Sequence, residues 1–324
     1  MTLTIKDIAR YAGVSPATVS LSLKDDIRVA EKTREKVKKI SKKFNYVPNN
    51  IGRALQSNKT SLAGYLLSTV TSSYFNELLQ GAGNAAAENN YGLLVGITSS
   101  SSQFEKEQLQ LFYEKRVDGI IASGYNRNVG ARLSELNKMG IPVVICSGLS
   151  ADKDIPHILV DNFKGGLMAA EHLIELGHET IAYGFSKNVN CGRYQGCCKA
   201  ASEKGIRKPI LFGDENGLTK LLKSKNRPTG IVAYSDAQAI KIKHIIENAG
   251  LSISDDISLI GFDDIWTISL PEYNFSSIAI PKMEIGRQAM EMLLDRINGK
   301  KIENRFIAPE LIARGSTREV NRRS

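Results

Sequence analysis

Between residues 62 and 280 the sequence alternates short apolar runs with longer stretches of helical spacing, and this alternation restricts the fold more than any other feature. The runs LAGYLL (62–67), GLLVGI (92–97), DGIIAS (118–123) and PVVICS (142–147) form one series. HILV (157–160), TIAYGF (180–185), GIVAYS (230–235), SLIGF (258–262) and SIAI (277–280) form a second. Each is short and largely apolar, as expected of strands buried on both faces. The stretches between them, such as Phe75 to Asn90, Gln103 to Arg116, Lys164 to Leu176 and Asp236 to Ala249, read as helices. Strands that alternate with helices assemble as a parallel sheet covered on both faces. Two series therefore predict two such subdomains. No G-x-G-x-x-G or P-loop pattern appears, which argues against a nucleotide-handling enzyme.

The first sixty residues follow another logic. They carry 13 Lys/Arg against 5 Asp/Glu, a net +8 out of the chain's +9, so a basic head precedes a nearly neutral body. Such asymmetry points to a polyanion partner for the head alone. Thr4, with Asp7 three residues on, starts a helix whose Ile5, Ile8 and Ala9 face inward. Gly13 stops it; Ser15 caps a second helix, and Pro16 fits that helix's first turn. Val19 and Leu23 form the buried stripe of the second helix, and Ala17 and Leu21 lie nearly opposite, facing out. A third helix from about Thr33 to Phe44 turns Val37, Ile40 and Phe44 inward and leaves a row of lysines in water. Two short helices across a tight turn, buttressed by a third, make a helix-turn-helix, whose second helix enters the major groove. There Thr4, Ser15, Thr18, Ser20, Ser22 and Asn49 suit phosphate oxygens. Leu21 would pack on a thymine methyl.

After Pro48, the segment NNIGRALQSNKT reads as a helix of only about two turns that contains a glycine, too short to hold alone. The stretches IKDIARYAGVSPATVS, TREKV and NYVPNNIGRALQSNKT closely resemble the DNA-binding head and hinge of the LacI/GalR (lactose-repressor) family, and the likeness runs through the whole chain. The resemblance implies that Pro16, Ala17 and Leu21 read bases and that Leu55, with Arg53 beside it, enters the minor groove as the hinge leucine. It implies an N-terminal all-α helix-turn-helix head on an α/β periplasmic-binding-protein-like core of two doubly wound parallel-sheet subdomains, with three chain crossings between them. The expected boundaries are a head at 1–48, a hinge at 49–60 and a core at 61–324. The core divides into an N-subdomain at about 61–160 and 281–306 and a C-subdomain at about 161–280 and 307–318. Two residues of the head and hinge depart from the family pattern. Leu21 stands where arginine is usual, and leucine cannot take guanine by two hydrogen bonds. Gly52 replaces the usual alanine and makes the hinge more dependent on DNA.

Small ligands of such sheets bind at the carboxyl ends of the strands. Ser72, Tyr74 and Phe75 follow the first strand, Ser147 the fourth, Ser235 and Asp236 the GIVAYS run, and Asp263 follows SLIGF. Arg193, in Arg193-Tyr194-Gln195-Gly196, matches the family's effector arginine, and Asp263 matches the first aspartate of its FDD. Carboxylates and arginine suit hydroxyls, and aromatics stack on an apolar sugar face. Structural roles compete at some positions: Asp236 as a helix cap, Asp264 paired with a base, Phe75 in the core. Ser235 and Ser147 replace the family's Asn and Asp, and the region between Ile206 and Arg227 is shorter than usual, so hydrogen-bonding groups typical of hexose sites are missing, and a purine or a modified sugar stays open beside a standard monosaccharide.

Other classes fit less well. The four cysteines and four histidines show no metal-ligand spacing, and neither a cofactor nor a catalytic motif is visible. With no long apolar span and no secretory leader, the sequence predicts a cytoplasmic, nucleoid-associated protein without membrane contact. A transport solute-binding protein would lack the basic head, a sugar-processing enzyme would carry a paired acid and base, and an RNA binder would carry a stacking platform. The expectation is a regulator, in this family most often a repressor, that binds a pseudo-palindromic DNA operator as a homodimer and answers to a small-molecule effector. No leucine-heptad tail follows Arg314, which favours the dimer.

Overall fold

The computed structural model describes residues 3–46, 59–124, 130–148, 152–185 and 191–320. The chain forms two compact units, Met1–Ser61 and Leu62–Ser324.

The head holds three helices, α1 (Ile5–Ala12), α2 (Pro16–Leu23) and α3 (Glu31–Lys43). Asp7 starts α1 by accepting hydrogen bonds from the Thr4 amide at 2.9 Å and the Thr4 hydroxyl at 2.7 Å. Gly13, at φ +68°, ends it in the left-handed region that a side chain would disfavour. The Ser15 hydroxyl caps α2 by accepting from the Thr18 amide at 3.1 Å. Ile8, Ala9, Ala12, Val19 and Val37 form the core, with Ile5, Leu23, Ile40 and Phe44 packed around it. The α2–α3 loop is pinned by Arg34, which donates to the carbonyls of Asp26 at 3.3 Å and Val29 at 2.7 Å.

The second unit holds two six-stranded sheets. The first contains β1 (Leu62–Leu67), β2 (Gly92–Ile97), β3 (Gly119–Ser123), β4 (Val143–Cys146), β5 (His157–Val160) and β11 (Arg305–Ile307) in the order β11-β5-β4-β3-β1-β2, all parallel. The second contains β6 (Ile181–Gly184), β7 (Ile210–Phe212), β8 (Gly230–Ala233), β9 (Ser258–Asp263), β10 (Ser276–Ala279) and β12 (Glu310–Ile312) in the order β12-β10-β9-β8-β6-β7. Among the described residues its one antiparallel pairing is β10 with β12. The central strands are buried along their length, as GIIAS, VVIC and GIVA require.

Among the described residues, eight helices pack on these sheets: α4 (Ser73–Glu88), α5 (Ser102–Glu114), α6 (Gly130–Lys138), α7 (Asn162–Glu175), α8 (Gly192–Glu203), α9 (Glu215–Leu222), α10 (Asp236–Asn248) and α11 (Lys282–Ile297). The chain passes between the sheets three times, at 160–162, 279–282 and 307–310. This is the mostly parallel, two-sheet architecture expected from the alternating pattern, with one correction: HILV, β5, pairs with β4 in the first sheet and does not open the second series. A continuous core that includes Tyr65, Leu78, Ile121, Ala169, Tyr183, Phe262 and Met290 runs through both layers. Among the described residues no helix is long and apolar enough to cross a membrane.

Candidate DNA-reading helix and effector site

The solvent face of α2 carries Pro16 and Ala17, both exposed, with Leu21, Thr18 and Ser20 half-buried along the same short helix. Leu21 takes no part in the head core that Val19 and Leu23 build, so its side chain is left to the outer surface. Ser15 and Thr18 share a 2.9 Å hydroxyl contact. The exposed Thr4 has its hydroxyl proton committed to Asp7, a bond that must open before that proton reaches a phosphate. Ser22 corrects the sequence expectation. It is fully buried, and its hydroxyl donates to the Thr18 carbonyl at 2.7 Å, so it braces α2 from inside and presents nothing to a phosphate. Helical spacing explains the error: Ser22 lies three residues from Val19 and shares its inward face. Asn49, Arg53 and Leu55 lie outside the described residues.

In the second unit, Arg193 is the centre of the site. It sits in the first turn of α8, directly after the Cys191 cap. Its position depends on a close crossing of α7 and α8. A methyl on Gly166 would sit 1.8 Å from the Arg193 carbonyl, and one on Gly196 would sit 2.1 Å from the Phe163 carbonyl, so only glycines permit this approach. The guanidinium donates from Nε to Asn162 Oδ1 at 2.7 Å, from one terminal nitrogen to the Tyr234 carbonyl at 2.5 Å, and from the other to Asp263 Oδ1 at 3.3 Å. It lies over the Phe262 ring at 3.6 Å and near the Tyr234 ring at 5.1 Å. Residues from the ends of β5, β8 and β9 thus converge on one cation. Burial opposes the charge on Arg193, but Asp263 and nearby phenols outweigh it and raise its proton affinity. Burial likewise pushes the Asp263 carboxyl up, while Arg193 and Lys282 pull it back.

On the first sheet, Tyr74 hydrogen-bonds Ser147 through their hydroxyls, joining the ends of β1 and β4. Phe75 stands edge-on to Tyr74 at 5.4 Å and packs on the core. Half-buried Ser72 precedes α4 without capping it through its side chain. Burial pushes the Tyr74 phenol well above its ordinary range, against the Ser147 hydrogen bond. The Tyr74 helix and the Asp263 turn lie close enough for one side chain, Lys282, to reach Glu77 at 3.4 Å and the Asp263 carbonyl at 2.6 Å.

Asp236 also corrects the expectation. It is fully buried, accepting from the Ser277 hydroxyl at 2.8 Å and from the Ile265 amide at 2.9 Å. Each oxygen is held by a partner inside the protein and the residue has no exposed surface to offer a ligand. Nor does Asp236 cap α10. The half-buried Ser235 does, accepting from the Gln238 amide at 3.4 Å. Gly261 makes room for the carboxylate, since a methyl there would lie 1.9 Å from Asp236 Oδ1. Asp264 pairs with Arg314 at 2.8 Å. Sequence reasoning missed Asn162, Tyr234, Phe262 and Lys282. Asn162 lies two residues past the HILV run and Tyr234 near the end of GIVAYS, so both were within reach of the strand-end rule.

Burial, reinforced by the charge of Asp263, raises the Asp236 carboxyl to about 8 from its ordinary 3.8. Between those two values the folded protein holds a proton that the unfolded chain has lost, so this group's contribution to stability falls as pH rises through the window. Asp236→Asn removes that loss and keeps one acceptor and one donor in place. In paired thermal melts from pH 5 to 8, the variant is expected to gain on the wild type as pH rises, by up to about 1.4 kcal/mol per pH unit. A constant difference across that range would contradict the assignment.

Among the described residues no group of three or more His, Cys, Asp or Glu is arranged to hold a metal. Comparison with known proteins matches residues 4–49 to the bacterial regulatory proteins of the lacI family and residues 170–317 to the periplasmic binding protein-like domain. The HTH-type transcriptional repressor PurR of Vibrio vulnificus is 32% identical over 98% of this chain and 99% of its own length. The lac repressor dimer bound to operator and the anti-inducer ONPF superposes with a TM-score of 0.85 at 24% identity, covering 98% of this chain and 100% of that one. A LacI family transcriptional regulator from Enterococcus faecium with bound ribose superposes with a TM-score of 0.71 at 27% identity, covering 80% of this chain and all of that one.

Proposed function

Because the chain belongs to the LacI family of bacterial regulatory proteins, we propose a specific division of labour for it as an effector-regulated, DNA-binding repressor. The head, 1–48, reads a pseudo-palindromic operator. The hinge, 49–60, places Leu55 and Arg53 in the minor groove, and Asn49 joins the exposed hydroxyls in holding phosphates. The core, 61–324, binds a sugar or sugar derivative between an N-subdomain (about 61–160 and 281–306) and a C-subdomain (about 161–280 and 307–318). The protein works in the cytoplasm on the chromosome, as a homodimer and as a binding switch without a catalytic step.

The observation that carries the effector half is the setting of Arg193: a cation stacked on Phe262, joined in its own plane to Asn162, Tyr234 and Asp263, opposite the Tyr74–Ser147 pair. A polyhydroxylated ligand would exchange hydroxyls for these internal bonds and lay an apolar face on Tyr74 and Phe75. The ribose held by the Enterococcus faecium relative supports that ligand class. Ser72 and Ser235 would supply neutral bonds around it. The ligand switches DNA affinity only by its preference for one subdomain arrangement over the other. The test is operator affinity of the full-length protein against neutral pentoses, hexoses and nucleosides. A shift with a sugar and none with nucleosides supports the reading; no shift with any sugar contradicts it.

The DNA half makes its own prediction. Leu21 offers a methyl contact where an arginine would take guanine by two hydrogen bonds, a difference of about 1–3 kcal/mol per base step. Leu21→Arg should move preference at one symmetric pair of steps from A·T toward G·C, by about tenfold in the Kd ratio of matched duplexes. An unchanged ratio would remove Leu21 from the reading surface.

A further inference from the structure

We propose that Lys282 is the positioning residue that ties the effector carboxylate Asp263 to helix α4. The inference rests on the effector reading above and deepens it. Lys282 is the first residue of α11, where the chain has just left β10 for a helix that packs on β3, β4 and β5 of the other sheet. Its side chain is only 3% exposed. The ammonium donates to the Asp263 carbonyl at 2.6 Å and the Asp264 carbonyl at 3.0 Å, and lies 3.4 Å from Glu77 Oε1. Glu77 belongs to α4, one turn beyond Tyr74. One side chain therefore touches the peptide units of the carboxylate that holds Arg193 and the helix that carries the opposite aromatic wall.

The two backbones it joins are not slack. Asp263 and Asp264 have φ of 102° and 48°, conformations that L side chains seldom adopt and that persist only when neighbours enforce them. The two Lys282 bonds are such an enforcement. On the other side α11 and α4 are locked together: a methyl on Gly81 would sit 1.9 Å from the Met283 carbonyl, and one on Gly286 would sit 1.9 Å from the Leu78 carbonyl. A rotation of the Asp263 turn cannot be absorbed locally by this pair and passes to α4 as a unit.

A stabilising role explains the charge poorly. Burying an ammonium costs more than a well-packed apolar side chain of the same size, and buried ion pairs are best attested as devices of register or switching. Here the partner, Glu77, is 37% exposed, so the pair is a weak source of stability and a directional link. When an effector draws Asp263 away from Arg193, the turn's carbonyls shift, and Lys282 carries the shift to Glu77 and the α4 wall.

The test needs no identified effector. Asp263→Asn breaks the ion pair with Arg193 and keeps the side-chain volume, so it stands in for effector capture. Operator Kd of the full-length protein is measured for the wild type, Asp263→Asn, Lys282→Met and the double variant. The expected result is a shift of about tenfold on Asp263→Asn, within the ordinary range of allosteric coupling, shrinking below about twofold in the Lys282→Met background. Glu77→Gln, at a partly exposed position, should blunt the same shift, and Lys282→Arg should restore most of it. A purely structural Lys282 would lower the melting temperature and leave the shift intact, which would overturn the proposal. No shift on Asp263→Asn in the wild-type background would overturn the effector reading itself, and the proposal with it. If Lys282→Met does not fold, the Glu77→Gln cycle decides by the same criterion.

Discussion

Arg193→Met should abolish the response of operator affinity to effector and destabilise the core by about 3–5 kcal/mol, the usual cost of breaking a buried ion pair. Arg193 and Asp263 are 12% and 13% exposed, so the methionine leaves a carboxylate with little water to replace its partner. It also leaves the Asn162 amide oxygen and the Tyr234 carbonyl without their donor. Methionine keeps the apolar contact with Phe262, so the loss is electrostatic and not a packing defect. Arg193→Lys should recover little, since one ammonium cannot span three acceptors placed around a planar fork. Urea unfolding of the core and operator titration with and without an active sugar would check both parts. A variant that folds as stably as the wild type and still responds would displace Arg193 from the centre of the site.

Ile8→Ala should unfold the head and leave the core's thermal transition where it is. Among the described residues the head's buried apolar set is small: Ile8, Ala9, Ala12, Val19 and Val37 in one cluster, and Val29, between Val19 and Val37 in sequence, at 8% exposure. Domains of this size draw about 3–5 kcal/mol from a single core, and a buried isoleucine cut to alanine costs about 2–5 kcal/mol. The deletion therefore consumes most of the head's stability. Operator affinity should fall by about 100-fold or more, equivalent to about 2.7 kcal/mol. Calorimetry of the full chain should still show the core transition, and protease should cut within residues 5–43. Wild-type operator affinity would show that the head is held by contacts other than this core.

The central strands were legible because their residues have one tolerable place. GIIAS, VVIC and GIVA are apolar on both faces and can only be inner strands of covered sheets. The strands β7, β11 and β12 escaped notice because three residues such as RFI, at a sheet edge, are too few to carry a period. In the head, capping chemistry located α1 and α2 directly, because Thr4–Asp7 and Ser15–Thr18 are local bonds. The site was legible only in part. Asp263 stood at a strand end, Arg193 was marked by the resemblance to the family's effector arginine, and the two do meet. Asp236 and Ser22 look the same in sequence as ligand-facing residues, and only the packing of Gly261, Ser277 and Thr18 against them turns them inward. Lys282 was invisible, since its partners are backbone carbonyls 18 and 19 residues away and a carboxylate on the other sheet's helix.

The central claim is that the head reads DNA sequence under the control of the core. The most direct measurement is selection of bound duplexes from a randomised library by the full-length protein at physiological salt, with and without a cytosolic small-molecule fraction. The account predicts one enriched site with two-fold symmetry, its enrichment changed by the added fraction, and A·T at the steps that Leu21 faces. Retention of DNA in both arms with no enriched symmetric site would contradict it, leaving a basic head that binds phosphate without reading bases.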